Sequence, residues 1–222
     1  MLRLILGRAG TGKTALLFSE IAARCARRQS GSFLIVPEQY SHEAERELAQ
    51  RCGDTASLYA EVLSFSRLAH RVAIGCGGSA RVYIDKPGRF LQLSLALEQV
   101  GGALSVYGGS ARSPERMVQL LSALDELRFG CAAPDALRKA AESVTPSLAG
   151  KLRDLALLQE ALDALSAQSG ADPAGRLDVL AEQLPGCAWL RSAKFYIDGF
   201  TDFTAQERRV IRALLPLADV TV

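Results

Sequence analysis

Short apolar runs alternate with longer stretches of helical periodicity in the first third of the chain. Residues 2–6, 33–36 and 59–63 have the length and composition of buried strands. The residues after each run place apolar side chains every three to four positions, which is typical of an amphipathic helix. Strand and helix in alternation predict a parallel sheet that helices cover on both faces. The predicted fold class is therefore α/β.

The pattern changes between residues 85 and 184, where leucines at helical spacing replace the strand-like runs. Leu155, Leu158 and Leu162, for example, follow the three-four spacing of antiparallel helix packing. The strand pattern returns at residues 194–197 and again at 217–222. We therefore predict one discontinuous α/β domain, residues 1–84 and 185–222, which is interrupted by an all-helical insertion, residues 85–184.

The segment between the first predicted strand and the first predicted helix carries the clearest chemical signal. It reads G-x-x-x-x-G-K-T, a glycine-rich loop whose backbone N–H groups surround a phosphate while the helix N-terminus adds positive charge. In this motif the lysine reaches the β- and γ-phosphates and the threonine hydroxyl binds Mg²⁺. The predicted cofactors are ATP and Mg²⁺, and a glycine-rich turn without a ligand is the alternative. The predicted nucleotide-binding residues are Gly7, Arg8, Ala9, Gly10, Thr11, Gly12, Lys13 and Thr14.

A phosphate loop of this class also needs a carboxylate near the Mg²⁺, at the end of another buried strand. Asp198 directly follows the predicted strand 194–197, so Thr14 and Asp198 are the predicted metal ligands, with an ordinary turn aspartate as the competing interpretation. Hydrolysis needs a residue that orients the attacking water, commonly a glutamate next to this aspartate. The next residue here is Gly199. We therefore assign no catalytic residue, and enzyme activity of this chain by itself stays open.

Composition excludes several classes of protein. The 222 residues are 49% hydrophobic and 23% charged, as in a soluble globular protein, and the net charge of +2 does not by itself indicate a polyanion-binding surface. No apolar run approaches the roughly twenty residues that cross a bilayer, and no signal or transit sequence is expected because Met1 leads directly into the first strand. The five cysteines are scattered without a C-x-x-C pair, so we expect reduced thiols and a cytoplasmic location.

Four segments, taken in order, support a family resemblance. They are the phosphate loop, Val-Pro-Glu-Gln at residues 36–39, Leu-Ser-Phe at 63–65 and Ile-Asp-Gly-Phe-Thr-Asp at 197–202. This order resembles the first motor domain of superfamily 1 helicases, and more closely the B subunits of bacterial AddAB-type (RexAB-type) ATP-dependent helicase–nucleases. The resemblance covers nearly the whole chain. It implies a P-loop NTPase fold of the RecA-like kind, with the helical insertion in the place of the helicase accessory subdomain.

The same resemblance implies an N-terminal, ATP-binding, helicase-like domain of a DNA helicase–nuclease subunit that acts in double-strand break repair and recombination. It implies a heterodimer with a helicase–nuclease A subunit, DNA contact through that complex, no membrane association and little motor activity of its own. The family's iron–sulfur cluster lies in a C-terminal nuclease region, so none is expected in these residues. The sequence departs from true helicases at Gly199, where a glutamate is usual, and at Thr201, where a glutamine is usual.

Two other functions stay open at this point. One is a P-loop small-molecule kinase with a helical lid, and the other is a non-catalytic scaffold that retains a remnant nucleotide site. We expect the 222 residues to be the N-terminal part of a longer polypeptide. We also expect the last strand to lie between the phosphate-loop strand and the Asp198 strand, as in superfamily 1 motors. Residues 39–42 and 64–67 are the predicted DNA contacts, with helix capping as an equally open interpretation.

Overall fold

The computed structural model describes residues 1–53, 55–75, 82–108 and 113–222. The chain divides into two compact units. The first unit comprises Met1–Ala80 and Leu177–Val222, and the second comprises Arg81–Arg176. Strands are found in the first unit, whereas the described part of the second unit is built almost entirely from helices.

The sheet of the first unit has five strands among the described residues, and every neighbouring pair is parallel. Its strands are β1 (Leu2–Arg3), β2 (Ser32–Ile35), β3 (Ala60–Leu63), β4 (Lys194–Ile197) and β5 (Asp219–Thr221). Their order is β1-β5-β4-β2-β3. This arrangement confirms the predicted α/β class and its RecA-like form. It also confirms the predicted position of the last strand, because β5 lies between the strand before the phosphate loop and the strand before Asp198.

Ten α-helices lie among the described residues. In chain order they are α1 (Lys13–Ala26), α2 (Ser41–Cys52), α3 (Ala56–Tyr59), α4 (Phe65–Gly75), α5 (Lys86–Val100), α6 (Pro114–Phe129), α7 (Pro134–Ala140), α8 (Pro146–Ser169), α9 (Arg176–Gln183) and α10 (Ala205–Leu214). Capping residues explain several of these starts. Ser64 accepts from the N–H of Arg67 at 3.2 Å at the start of α4, and Thr204 and Glu207 form a complete capping box at the start of α10.

Two apolar cores lie on opposite faces of the sheet. Phe33 and Ile35 of β2 belong to one core, whereas Leu34 of the same strand and Tyr196 of β4 belong to the other. Successive side chains of a strand point to opposite faces, so a strand that is covered on both sides needs an unbroken apolar run. The runs at residues 33–36 and 194–197 are explained in this way.

The predicted burial of the first strand is wrong. β1 comprises only Leu2–Arg3, although the N–H of Ile5 still donates to the carbonyl oxygen of Val222 at 2.8 Å. The side chains of Leu4 and Leu6 are 58% and 88% exposed. β1 is an edge strand of the sheet that the described residues form, so it has a neighbouring strand on one side only. An apolar run alone does not distinguish an edge strand from a central one.

The second unit is a bundle with its own leucine-rich core. The predicted stripe of Leu155, Leu158 and Leu162 on α8 is buried there, against residues of α5 and α6. One buried charge anchors a loop to this bundle. The carboxylate of Asp154 accepts from the N–H groups of residues 105–107 at 2.7–2.9 Å and from the Ser105 hydroxyl at 3.0 Å.

The cysteines follow the prediction in part. Cys25 and Cys52 are free thiols, as expected. Cys187 instead takes part in a disulfide bond, which the scattered spacing along the chain did not reveal. In the part of the chain that the structure describes, no helix has both the length and the apolar character that crossing a bilayer requires.

Candidate functional site

The predicted phosphate-binding residues form a tight loop between β1 and α1. Gly10 and Gly12 have φ angles of 77° and 87°, in the left-handed region that glycine adopts without a steric penalty. Gly7 is required for a different reason, because a Cβ atom there would lie 2.6 Å from the hydroxyl oxygen of Thr11. The glycines of the motif are therefore explained by the shape of the loop.

Lys13 crosses this loop. Its Nζ atom donates to the carbonyl oxygens of Gly7 at 2.8 Å and Arg8 at 2.9 Å. Gly12 is the N-cap of α1, and in the described structure no side chain accepts a hydrogen bond from the first turn of this 14-residue helix. A lysine ammonium and the N-terminus of a helix thus lie at the same glycine-rich loop, and this combination is typical of phosphate-binding sites.

Asp198 is placed at the same edge of the sheet by the pairing of β2 with β4. Ile35 is opposite Ile197 in the parallel register, and the N–H of Asp198 donates to the carbonyl oxygen of Ile35 at 3.0 Å. Lys13, Thr14 and Asp198 line one cavity of about 650 Å³. The structure therefore brings together the lysine and both predicted metal ligands, although they come from opposite ends of the chain.

The remaining predicted residues divide into two groups. Gly10 and Gly12 line the cavity with Lys13 and Thr14. Gly7, Arg8, Ala9 and Thr11 belong to the loop but are not among the lining residues. Within the described residues no three His, Cys, Asp or Glu side chains cluster to form a metal site by themselves. Thr14 and Asp198 fit Mg²⁺ in another way, because this ion takes one or two protein ligands together with phosphate oxygens and water.

The sequence did not reveal the opposite wall of the cavity, which α2 provides. Glu43, Glu47 and Arg51 line it at successive intervals of four residues, and Tyr40 lines it just before the helix. Arg51 pairs with Glu47 at 2.6 Å, and its guanidinium carbon lies 5.5 Å from the centroid of the Phe18 ring. The four-residue spacing indicates a shared helix face, but nothing in the sequence shows what that face contacts.

Gly199 is held in a conformation that its sequence neighbours do not predict. Its φ angle is 81°, and a Cβ atom would lie 3.3 Å from the Cδ atom of Pro37. A side chain at position 199 would therefore require both a left-handed backbone and a close approach to Pro37. The backbone conformation of this loop therefore disfavours a glutamate after Asp198.

Structural roles already occupy several of the predicted DNA contacts. Ser64 caps α4, and the guanidinium of Arg67 pairs with Glu45 at 2.5 Å. Gln39, Tyr40 and His42 are exposed after β2. Capping thus accounts for Ser64, whereas DNA contact at the exposed residues stays a prediction.

Comparison with known proteins identifies the family. The family model described as ADDB, N-terminal, matches residues 4–222. Proteins named as the B subunit of an ATP-dependent helicase/deoxyribonuclease are 38% identical over 98% of the chain in Desulforamulus reducens and 37% identical over 100% in Moorella thermoacetica. A protein of the same name in Heliobacterium modesticaldum is 39% identical over 96% of the chain.

The chain spans only about a fifth of the length of these relatives, 19%, 20% and 18% respectively. The match to the family model nevertheless covers nearly all of its residues, including the phosphate loop, Asp198 and the helical unit between them. The chain therefore belongs to the family of AddB N-terminal domains.

Proposed function

We propose that this chain is the N-terminal ATP-binding, helicase-like domain of the B subunit of an ATP-dependent DNA helicase/nuclease. One observation carries the proposal: Lys13, Thr14 and Asp198 line a single cavity at the carboxyl edge of a parallel sheet. Ligands of open parallel sheets bind at this edge. The family membership supplies the DNA-processing context, because the relatives are named for helicase and deoxyribonuclease activity.

In this proposal each residue has a separate role. The amides of residues 7–14 surround the phosphates, and Lys13 exchanges its hydrogen bonds with the Gly7 and Arg8 carbonyls for contacts with the β- and γ-phosphates. Thr14 and Asp198 hold Mg²⁺, which neutralises phosphate charge. The nucleotide-binding domain is assigned to residues 1–84 and 185–222, and the helical insertion to residues 85–184.

The proposed domain hydrolyses ATP slowly or not at all. A residue that positions the attacking water contributes roughly a hundred- to ten-thousand-fold to the rate, and Gly199 cannot supply it. An arginine that faces the γ-phosphate contributes about a thousandfold or more. Arg51 is among the described residues that line the cavity, but its guanidinium already pairs with Glu47 and lies over the Phe18 ring. The domain is therefore assigned no catalytic residue.

The wider assignments follow from the family. The chain would act in double-strand break repair and recombination, as part of a heterodimer with a helicase–nuclease A subunit that contacts DNA in the cytoplasm. This role suits a domain that holds a nucleotide without being the main motor. No membrane association is proposed, and no iron–sulfur cluster is assigned to these residues.

The strand order favours this function over a small-molecule kinase, whereas nucleotide binding separates it from a scaffold. β5 lies between β1 and β4, which is the order expected of superfamily 1 motors. A small-molecule kinase would phosphorylate an acceptor at the expense of ATP, and a scaffold with a remnant site would bind no nucleotide. Each alternative therefore predicts a different result in a binding and turnover assay.

The test is titration calorimetry of Mg-ATP and Mg-ADP with the wild type, Lys13→Ala and the control Lys151→Ala. Lys151 is exposed on α8 and does not line the cavity. We expect nucleotide binding in the wild type and the control, and its loss in Lys13→Ala. If the wild type binds no nucleotide, the scaffold interpretation is correct. If ATP is consumed only when a small acceptor is added, the kinase interpretation replaces ours.

A further inference from the structure

A second cavity lies at the edge of the sheet opposite the phosphate loop. It has a volume of about 390 Å³, and it is formed by the segment before β4, the loop before β5 and the last turns of α1. This cavity lies where β4 and β5 begin, whereas Asp198 and the nucleotide cavity lie where β4 ends. All strands of a parallel sheet begin at the same edge, so the two cavities are at opposite edges. The second cavity accordingly shares no lining residue with the nucleotide cavity.

This cavity concentrates positive charge. Arg24, Arg191 and Lys194 all line it. Asp219 is the one carboxylate among its lining residues, and it lies 3.2 Å from the amino group of Met1. Within the described residues, no carboxylate lies within ion-pair distance of the three basic side chains. A chain with a net charge of only +2 thus places three basic side chains and one carboxylate around this cavity. That carboxylate, Asp219, is opposite Lys194 in the register of β4 and β5, and it pairs with the amino group of Met1.

Neutral groups hold Arg24 in position. Its Nε atom donates to the hydroxyl of Ser32 at 2.8 Å, and its Nη2 atom donates to the carbonyl of Ser30 at 3.2 Å. Ser32 is itself buried at the start of β2. The guanidinium is therefore fixed without losing its charge, which lowers the entropic cost of binding an anion. The ammonium of Lys194 lies 5.4 Å from the centroid of the Tyr196 ring, a contact that leaves its N–H donors free for a ligand.

We propose that this cavity is a second anion site, which binds a phosphate group supplied by a DNA backbone or by inorganic phosphate. Arginine forks and a lysine ammonium are the groups that recognise phosphate oxygens. They come from separate parts of the chain: Arg24 from α1, Arg191 from the segment before β4, and Lys194 from the first position of β4. A tetrahedral phosphate accepts hydrogen bonds from several directions, whereas the carboxylate of an acidic peptide offers two coplanar oxygens. The geometry therefore favours phosphate over an acidic peptide.

The central variant is Arg191→Gln/Lys194→Gln, which removes two charges and keeps both side chains polar. Arg24 is left intact because it also fixes the start of β2. The matched control is Lys151→Gln/Arg153→Gln, which removes the same two charges from exposed positions on α8. Lys13→Ala removes the phosphate loop's contribution. Thermal unfolding of all variants establishes that each is folded.

Two probes distinguish the sources of phosphate. Fluorescence anisotropy with a short labelled single strand measures DNA binding at two salt concentrations, and phosphorus NMR line broadening measures binding of inorganic phosphate. We expect weak, salt-sensitive DNA binding that falls about tenfold in the double variant, with the salt slope reduced by roughly 0.7 for each lost contact. The control and Lys13→Ala retain DNA binding. If the wild type binds inorganic phosphate but not DNA, and the double variant abolishes that binding, the site is supported with free phosphate as its ligand.

Three results would overturn the proposal. The first is that neither probe binds the wild type. The second is that the double variant binds both probes as the wild type does. The third is that a polyglutamate peptide binds more tightly than the phosphate probes and loses that binding in the double variant. Phosphate binding that Lys13→Ala abolishes and the double variant retains belongs to the phosphate loop, so it counts as no binding of inorganic phosphate at the second site. The outcome is independent of nucleotide binding, because the ATP titration tests Lys13 and this experiment tests Arg191 and Lys194.

Discussion

The backbone N–H of Asp198 donates a hydrogen bond to the carbonyl oxygen of Ile35 at 3.0 Å. This bond extends the pairing of β2 and β4 by one step beyond the pair Ile35 and Ile197. It holds the carboxylate at the point where the chain leaves the sheet, in the cavity that also contains Lys13 and Thr14. The position of the proposed metal ligand is thus determined by the sheet and not by the flexibility of a loop.

The first prediction concerns this carboxylate. Asp198→Ala should lower the affinity of the nucleotide-bound protein for Mg²⁺ by about tenfold or more. Binding of metal-free nucleotide should change little, because the loop amides and Lys13 remain. Titration of Mg²⁺ into the protein with a fluorescent ADP analogue measures both quantities. Asp202→Ala is the control, since Asp202 lies in the same loop, pairs with Arg208 at 3.4 Å and does not line the cavity. Equal effects of the two substitutions would contradict the metal role of Asp198.

The second prediction concerns Gly199. Gly199→Glu should destabilise the chain by roughly 1–2 kcal/mol, because the left-handed backbone penalises a side chain, and it should not raise ATP turnover. Urea unfolding and a steady-state phosphate-release assay measure the two effects. Gly186→Glu serves as control, because a Cβ atom there has no neighbour within 4 Å. A turnover that rises with no loss of stability would show that a glutamate at this position can reach the water.

The third prediction concerns the buried Asp154. Burial raises the pKa of its carboxyl, but the hydrogen bonds from residues 105–107 together outweigh burial and the net pKa is lowered. Because the folded pKa lies below the unfolded value of about 3.9, the ionised group stabilises the fold above that pH. The stabilisation is lost as the pH falls through the folded pKa.

Asp154→Asn should therefore cost roughly 2–4 kcal/mol at neutral pH, since several buried donors lose a charged acceptor, and the cost should shrink in acid. Denaturant unfolding followed across a pH series measures this dependence. Asp163→Asn is the matched control on the same helix, where the half-exposed carboxylate pairs with Arg128. A cost for Asp154→Asn that does not change between neutral and acidic pH would contradict the assigned role of its charge.

The fourth prediction concerns the reactivity of Cys52. Burial, and after it a hydrogen bond with Cys25, raise the pKa of the Cys52 thiol to about 11. At pH 8 the thiolate fraction should be more than about a hundredfold below that of an unperturbed thiol, so alkylation by iodoacetamide should be slow. Peptide mapping of the alkylation rate against pH gives the midpoint. Cys25→Ala should lower it, and a wild-type midpoint near the ordinary value for cysteine would refute the effect of burial.

Features that depend on a few neighbouring residues could be predicted from the sequence. The phosphate loop and β4 at residues 194–197 occur where the sequence predicts them. The T-x-x-E spacing of Thr204 and Glu207 is that of a capping box, and the structure has one there. Each is determined by local backbone preference, by a side chain that bonds to the nearby backbone, or by an apolar run of strand length. The placement of Asp198 at a strand end followed from the same local rules.

Features that depend on residues distant along the chain were decided only by the tertiary structure. The exposure of Leu4 and Leu6 follows from the edge position of β1, the wall of the cavity follows from the packing of α2, and the constraint on Gly199 comes from Pro37. The anion cavity likewise joins Arg24 to Lys194 across most of the chain. Periodicity along a sequence shows which faces are apolar, but the order of strands in the sheet determines which side chains meet, and that order depends on the packing of the whole unit.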